Sequence, residues 1–179
     1  PNWKMGKKIS IDSSNIMNKV FEFIEAKKIF NIKNKDLNIL IHPSSYVHAI
    51  IYFKGGLIKF LAHETSMTIP ISNALNIKDI KKKFNIKKND LKLNKMNFQI
   101  PSKKKFPVLS VLNNLPEKDS FFETILITIN DELVKKYLNN EINYKTLQTN
   151  LINLMKHTFF NKYYKLKPKN IYDIKNMVK

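Results

Sequence analysis

Residues 13–30, SSNIMNKVFEFIEAKKIF, set the class of structure in the first half of the chain. Ile16, Met17, Val20, Phe21, Ile24 and Phe30 recur at helical spacing and form one apolar stripe. Asn18, Lys19, Glu22, Glu25 and Lys28 fall on the opposite face. Ser13 is a good N-cap residue and is expected to start this helix. Upstream, residues 1–12, PNWKMGKKISID, carry turn and strand signals. A chain that opens at Pro1 inside such a motif-like stretch reads as cut from something longer.

Downstream, residues 38–42 predict a short strand and residues 46–53 a second. Gly55-Gly56 is a hairpin signal, with a third strand over 57–62. Pro70 opens a short helix over 69–76. Residues 77–97 read as a lysine-rich linker with room for one short helix, and Pro101, Pro107 and Pro116 punctuate the next stretch. From Ser120 the period turns helical again. Phe121, Phe122, Ile125, Leu126, Ile129, Leu133, Val134, Tyr137 and Leu138 fit one long helix, and Asn130 is the polar residue there that invites a question. Residues 144–157 fit a second, with Leu147, Leu151, Leu154 and Met155 inward, and a third starts near Asn170. The expected architecture is α/β, an α+β-like portion with a small sheet, followed by a C-terminal α-helical bundle.

Composition narrows the function classes. With 179 residues, 43% hydrophobic and 26% charged, the chain suits one ordinary domain or two small ones, not a disordered or fibrous protein. The longest apolar runs, 49–53 and 121–129, are too short or interrupted to cross a membrane. Lys4, Lys7, Lys8 and Asp12 stand where a signal peptide would be apolar. The absence of cysteine excludes disulfides, thiolate zinc sites and cysteine nucleophiles. The net charge of +18 raises a nucleic-acid or acidic-membrane partner. Every basic residue is lysine, however, and base readers draw on arginine for its planar fork. Lys, Asn and Ile share A/T-rich codons, so genome composition is a competing explanation of the charge, and neither nucleic acid nor membrane is an expected partner.

Three constellations could carry chemistry. Asn18, Lys19 and Glu22 lie three and four residues apart on one helix face, with Ser13 at the expected helix start. Hydroxyl, amide, ammonium and helix start suit a phosphate, and the carboxylate beside them suits a divalent cation. The same residues also read as a capped helix with a surface Lys–Glu pair. His42 and His48 stand near strand ends and read as ligands or as packed histidines. Trp3-Lys4-Met5-Gly6 reads as a mobile flap or as an apolar plug.

Residues 1–26 as a whole resemble the central signature of the 1-deoxy-D-xylulose 5-phosphate reductoisomerase family, H-P-N-W-x-M-G-x-K-I-S-x-D-S-A-T-M-M-N-K-G-L-E-x-I-E-A. The chain keeps Asn2-Trp3, Met5-Gly6, Lys8 to Ser10, Asp12-Ser13, Met17 to Lys19, Glu22 and Ile24 to Ala26. His42, Pro43, Ser45 and His48 match the family block I-H-P-x-S-x-V/I-H-S; Met67, Pro70 and Ile71 match D-M-x-x-P-I; and residues 106–109, FPVL, resemble F-P-C-L. The resemblance is dense over 1–71 and thin beyond. It implies the NADPH-dependent isomerisation and reduction of 1-deoxy-D-xylulose 5-phosphate to 2-C-methyl-D-erythritol 4-phosphate, in non-mevalonate isoprenoid synthesis, with Mg²⁺ or Mn²⁺ as Lewis acid. It implies a metal-ligand and catalytic role for Glu22, a catalytic and substrate-binding role for Lys19, and substrate contacts from Ser13, Asn18, Trp3 and His48. Met5 belongs to the implied flap, and Gly6 with Met5 to an NADPH contact. It also implies a homodimer in a bacterial cytoplasm, a plastid being the lesser alternative.

On the same resemblance, residues 1–76 are the C-terminal part of the catalytic domain, 77–116 a linker and 117–179 a clipped C-terminal helical domain. The NADPH-binding domain, the motif histidine, a lysine and two further metal carboxylates would precede Pro1. Departures are Ser14-Asn15 for Ala-Thr, Val20 for glycine, Ser66 for aspartate, Thr68 for arginine and Ile127 for asparagine. Val20 adds bulk beside Lys19. These departures keep open a paralogue with an altered substrate, while the charge alone keeps open a basic nucleic-acid-binding protein.

Overall fold

The computed structural model describes residues 5–77, 93, 94 and 96–178. Among the described residues the elements are, in chain order, α1 (Lys7–Ser14), α2 (Met17–Phe30), β1 (Val47–Tyr52), β2 (Ile58–Ala62), α3 (Thr68–Ala74), α4 (Phe122–Leu138), α5 (Tyr144–Met155) and α6 (Ile171–Val178), with 3-10 segments between them. The fold is helical with one small sheet, as the sequence predicts. Residues group into two compact units, one over Leu40–Ile100 and one joining Met5–Ile39 to Pro101–Lys179. The short helix expected in the linker lies largely outside the described residues.

The sheet unit is built on an antiparallel hairpin of β1 and β2, with Ala49 opposite Leu61 and Tyr52 opposite Ile58. Its turn closes through Phe53: the Gly56 amide donates to the Phe53 carbonyl at 2.9 Å. Gly56 has φ 85, the left-handed region that a side chain would resist. The pairing slips between Val47 and Ala49, so His48 sits in a β-bulge. The strand expected over 38–42 does not form. Ile41 makes a lone two-way bridge with Gln99, at 2.8 and 2.9 Å. Pro43, with no N–H, comes two residues later and cannot extend a ladder.

The helical unit corrects the turn-and-strand reading where it covers residues 7–12. Residues 7–14 are helical, not strand, with Ser10 bonded back to the Gly6 carbonyl and Lys8 paired with Asp12 one turn on. Ser13 therefore lies in the last turn of α1 and does not cap α2. Ile16 stands at its N-cap with no side-chain cap bond, and Asn15 Oδ1 accepts from the amide of Met17, the first residue of α2, at 2.9 Å. Between the helices Ile16 takes φ 67, a strained value for a β-branched residue, and its side chain is buried at 7% exposure.

Met17, Val20 and Ile24 of α2, Phe122, Ile125, Leu126, Leu133 and Val134 of α4 and Leu147, Leu151 and Met155 of α5 are all buried. Val108, Leu109 and Val111 join them from a 3-10 stretch, Pro107–Asn114, so this part of the expected linker is core. Phe30, Leu138 and Leu154, expected inward, are instead exposed. Phe30 and Leu138 end their helices, where the apolar stripe runs past the core.

Tyr164 closes this core. Its hydroxyl donates to the Met155 carbonyl at 2.7 Å and its ring meets Phe122 edge-on at 4.8 Å. Burial pushes the phenol up to about 12 from 10.0. Burial opposes the charge on Lys8 and Lys28, but bonds from Lys8 to Asp131 and Asp12, and from Lys28 to Asp119 and Glu123, outweigh it and raise both. All three groups bind their proton more tightly when folded. Their stabilisation is complete below the unfolded values of 10.0 and 10.5 and is lost as pH climbs through the folded ones. The melting temperature should therefore fall between pH 10 and 12, and less steeply in Tyr164→Phe. An unchanged slope in that variant would remove Tyr164 from the account.

Candidate functional site

Three of the residues singled out by spacing converge. On α2, Asn18 Nδ2 donates to Glu22 Oε1 at 2.7 Å, and Lys19 Nζ donates to Glu22 Oε2 at 2.5 Å. Each carboxylate oxygen is held by a different donor, which fixes the plane of the group. The face is open to ligand, since the Lys19 and Glu22 side chains are 42% and 43% exposed. In water a pair so exposed adds little stability. The arrangement can present one anionic oxygen pair to a cation and one ammonium to a phosphate.

Ser13 is exposed at the C-terminal end of α1, and only Ser14, Asn15 and Ile16 separate it from α2. The Asn15–Ile16 corner thus places hydroxyl and helix face in neighbouring stretches. Gly6 is the N-cap of α1, with φ −63 and ψ 159, and a Cβ added there would meet nothing within 4 Å. No turn demands glycine at that point, and the open backbone suits the close approach of a ligand. Met5 beside it is half-buried. Trp3 lies outside the described residues.

His48 belongs to the sheet unit. Its ring stacks on His63 with centroids 3.7 Å apart and planes 14° apart, and its Nε2 lies 3.2 Å from the His63 carbonyl. His63 escaped the sequence reading, because nothing in linear spacing announces a partner across a bulge. His42 is tied locally: its Nε2 lies 2.7 Å from the Ser44 hydroxyl, its Nδ1 lies 2.9 Å from the Asn97 carbonyl, and it stacks on Phe98.

A metal ion finds one carboxylate in Glu22. Among the described residues no group of three His, Cys, Asp or Glu side chains could hold one. The donor set here fits one ligand of an oxygen-rich site. Val20 adds its bulk to the core, not to the ligand face, since it is fully buried while Lys19 and Glu22 are open.

A family model described as the DXP reductoisomerase C-terminal domain matches residues 63–179. A second, the 1-deoxy-D-xylulose 5-phosphate reductoisomerase C-terminal domain, matches residues 1–30. The chain is 51% identical over 178 residues to the 1-deoxy-D-xylulose 5-phosphate reductoisomerase of Pelagibacter ubique, covering 99% of this chain and 46% of that protein. It is 39% identical over 149 residues to that of Wolbachia pipientis, covering 80% and 38%. A crystal structure of DOX-P reductoisomerase in complex with NADPH, fosmidomycin and magnesium superposes with TM-score 0.87 at 27% identity, over 99% of this chain and 45% of that one. The Zymomonas mobilis reductoisomerase with NADPH gives 0.81 at 25%, over 96% and 44%. The chain spans about half the length, or less, of the curated relatives it matches.

Proposed function

The chain belongs to the 1-deoxy-D-xylulose 5-phosphate reductoisomerase family, and from that premise we propose that it forms part of an enzyme converting that sugar phosphate to 2-C-methyl-D-erythritol 4-phosphate. The observation that carries the reading is the Glu22 carboxylate, held by Asn18 and Lys19 on an open helix face. Glu22 is a metal ligand and Ser13, Asn18 and Lys19 receive the phosphorylated substrate, with His48 and Trp3 as further contacts. Gly6 and Met5 face the nicotinamide cofactor. When bound, Mg²⁺ or Mn²⁺ polarises the substrate's oxygens and NADPH supplies a hydride.

Each residue has a definite task. Glu22 orients its oxygens before ligand arrives, because Asn18 holds one and Lys19 the other. On binding, Lys19 exchanges that carboxylate for the substrate's anion, which keeps the ammonium paired throughout. The Asn18 amide, left on Glu22, holds the carboxylate plane. Ser13 offers a hydroxyl to the phosphate from the end of α1.

Two further readings accompany this one. A homodimer is supported by the hairpin, where Ile51, Tyr52, Phe60 and Leu61 are 48%, 70%, 48% and 55% exposed, an apolar surface that asks for a cover. A bacterial cytoplasm is supported by the bacterial relatives.

The test is an NADPH-consumption assay on the full reading frame that carries these residues, with substrate and Mg²⁺, run beside the 179-residue chain. Turnover is expected from the first and not from the second, because one carboxylate does not hold Mg²⁺ firmly. The active preparation is expected to have a dimer's mass by light scattering. A folded full-length protein that leaves NADPH unconsumed would overturn the reading.

A further inference from the structure

The end of α1 is tied to the C-terminal helices on both sides of Ser13. On one side Asp12, 3% exposed, accepts at Oδ1 from Asn130 Nδ2 of α4 at 2.9 Å. Its Oδ2 lies 3.1 Å from Lys8 Nζ, which also reaches Asp131 of α4 at 2.8 Å and lies 5.3 Å from the centre of the Phe21 ring of α2. On the other side the Ser14 hydroxyl lies 3.0 Å from the hydroxyl of Tyr144, the first residue of α5. Ser13, between the two ties, is exposed.

The chemistry of Asn130 is poor for a mere filler. It is fully buried, and its amide oxygen has no partner among the described residues. A leucine would fill that space without an unpartnered oxygen of its own, but it would strip the buried Asp12 Oδ1 of this donor. What asparagine adds is a donor aimed at Asp12, and with it a fixed azimuth for α1. With the Lys8–Asp131 pair and the Ser14–Tyr144 contact, this bond ties α1 to α4 and α5.

We infer that Asn130 and Tyr144 are positioning residues, which aim the Ser13 hydroxyl at the substrate's phosphate by holding Asp12 and Ser14. The C-terminal helices thereby set the geometry of a group on the opening helix. The inference rests on the phosphate-binding role proposed for Ser13.

The experiment uses the full-length protein with Asn130→Leu, Tyr144→Phe and Ser13→Ala. Tyr144→Phe removes one hydroxyl from a half-buried ring and is the variant expected to fold without difficulty. Two quantities are read: backbone hydrogen exchange at Asn15 and Ile16, whose amides bond to the carbonyls of Ile11 and Ser13, and the KM for the sugar phosphate against kcat. Exchange there should quicken, and KM should rise about tenfold with a smaller change in kcat and none in the KM for NADPH. Unchanged exchange in both variants overturns the latch. Quicker exchange with unchanged KM, where Ser13→Ala raises KM, overturns the positioning role. A normal KM in Ser13→Ala overturns the phosphate role of Ser13 and the inference with it, while turnover itself still reports on the wider function. A fall in kcat alone, with KM kept, marks Asn130 and Tyr144 as structural and also overturns it.

Discussion

Glu22→Gln in the full-length protein is expected to lower kcat/KM by about 10²–10³-fold, the loss seen when one preorganised charge-stabilising group is removed. Gln keeps the length and one acceptor of Glu, so Asn18 or Lys19 retains a partner at this position. What it loses is the negative charge that a hard divalent cation requires. The defect should therefore appear as a raised Mg²⁺ requirement, partly recovered at high metal concentration. Folding should be untouched, since the Lys19–Glu22 pair is about half exposed and such pairs contribute about 0–1 kcal/mol. The comparison is a metal titration of NADPH consumption for both proteins, with a thermal melt of each. Equal metal dependence in the two would remove Glu22 from the metal site.

Val20→Gly is expected to destabilise the protein by about 2–4 kcal/mol, the sum of a core cavity and a glycine inside a helix. Val20 is shut off from water, at 0% exposure, in a buried set with Met17 and Ile24. The substrate KM should be unchanged, because the side chain lies away from the open face of Lys19 and Glu22. This separates two meanings of the family's glycine at this position. Were Val20 crowding the substrate, its removal would lower KM; were it core, its removal would lower only the urea midpoint. A lower KM at unchanged midpoint would show that the side chain crowds the ligand and would revive the altered-substrate reading.

Much of the helical part was legible from periodicity. The apolar repeats over 121–138 and 144–155 form α4 and α5, and the Gly55-Gly56 signal makes the hairpin. Asn130 could be flagged because a polar residue in an apolar stripe is conspicuous in one dimension. The candidate face was legible too, since i, i+3 and i+4 spacing on one helix brings Asn18, Lys19 and Glu22 together without help from the rest of the chain.

The tertiary structure decided what local preference leaves balanced. Ser13 is a good cap by type, yet it lies inside α1, and Ile16, buried at 7% exposure with φ 67, separates that helix from α2 where turn and strand followed by one helix from Ser13 were expected. Residues 38–42 have strand character, but among the described residues Ile41 bridges only Gln99, and a strand needs a neighbour along its length. Pro107–Asn114 reads as punctuation until Val108, Leu109 and Val111 find a core to fill. The residues that Asn130, Tyr144 and His48 touch lie 118, 130 and 15 positions away, a pairing that no local period encodes. Spacing within one helix is set by backbone geometry alone, whereas contacts between elements are set by which surfaces bury each other.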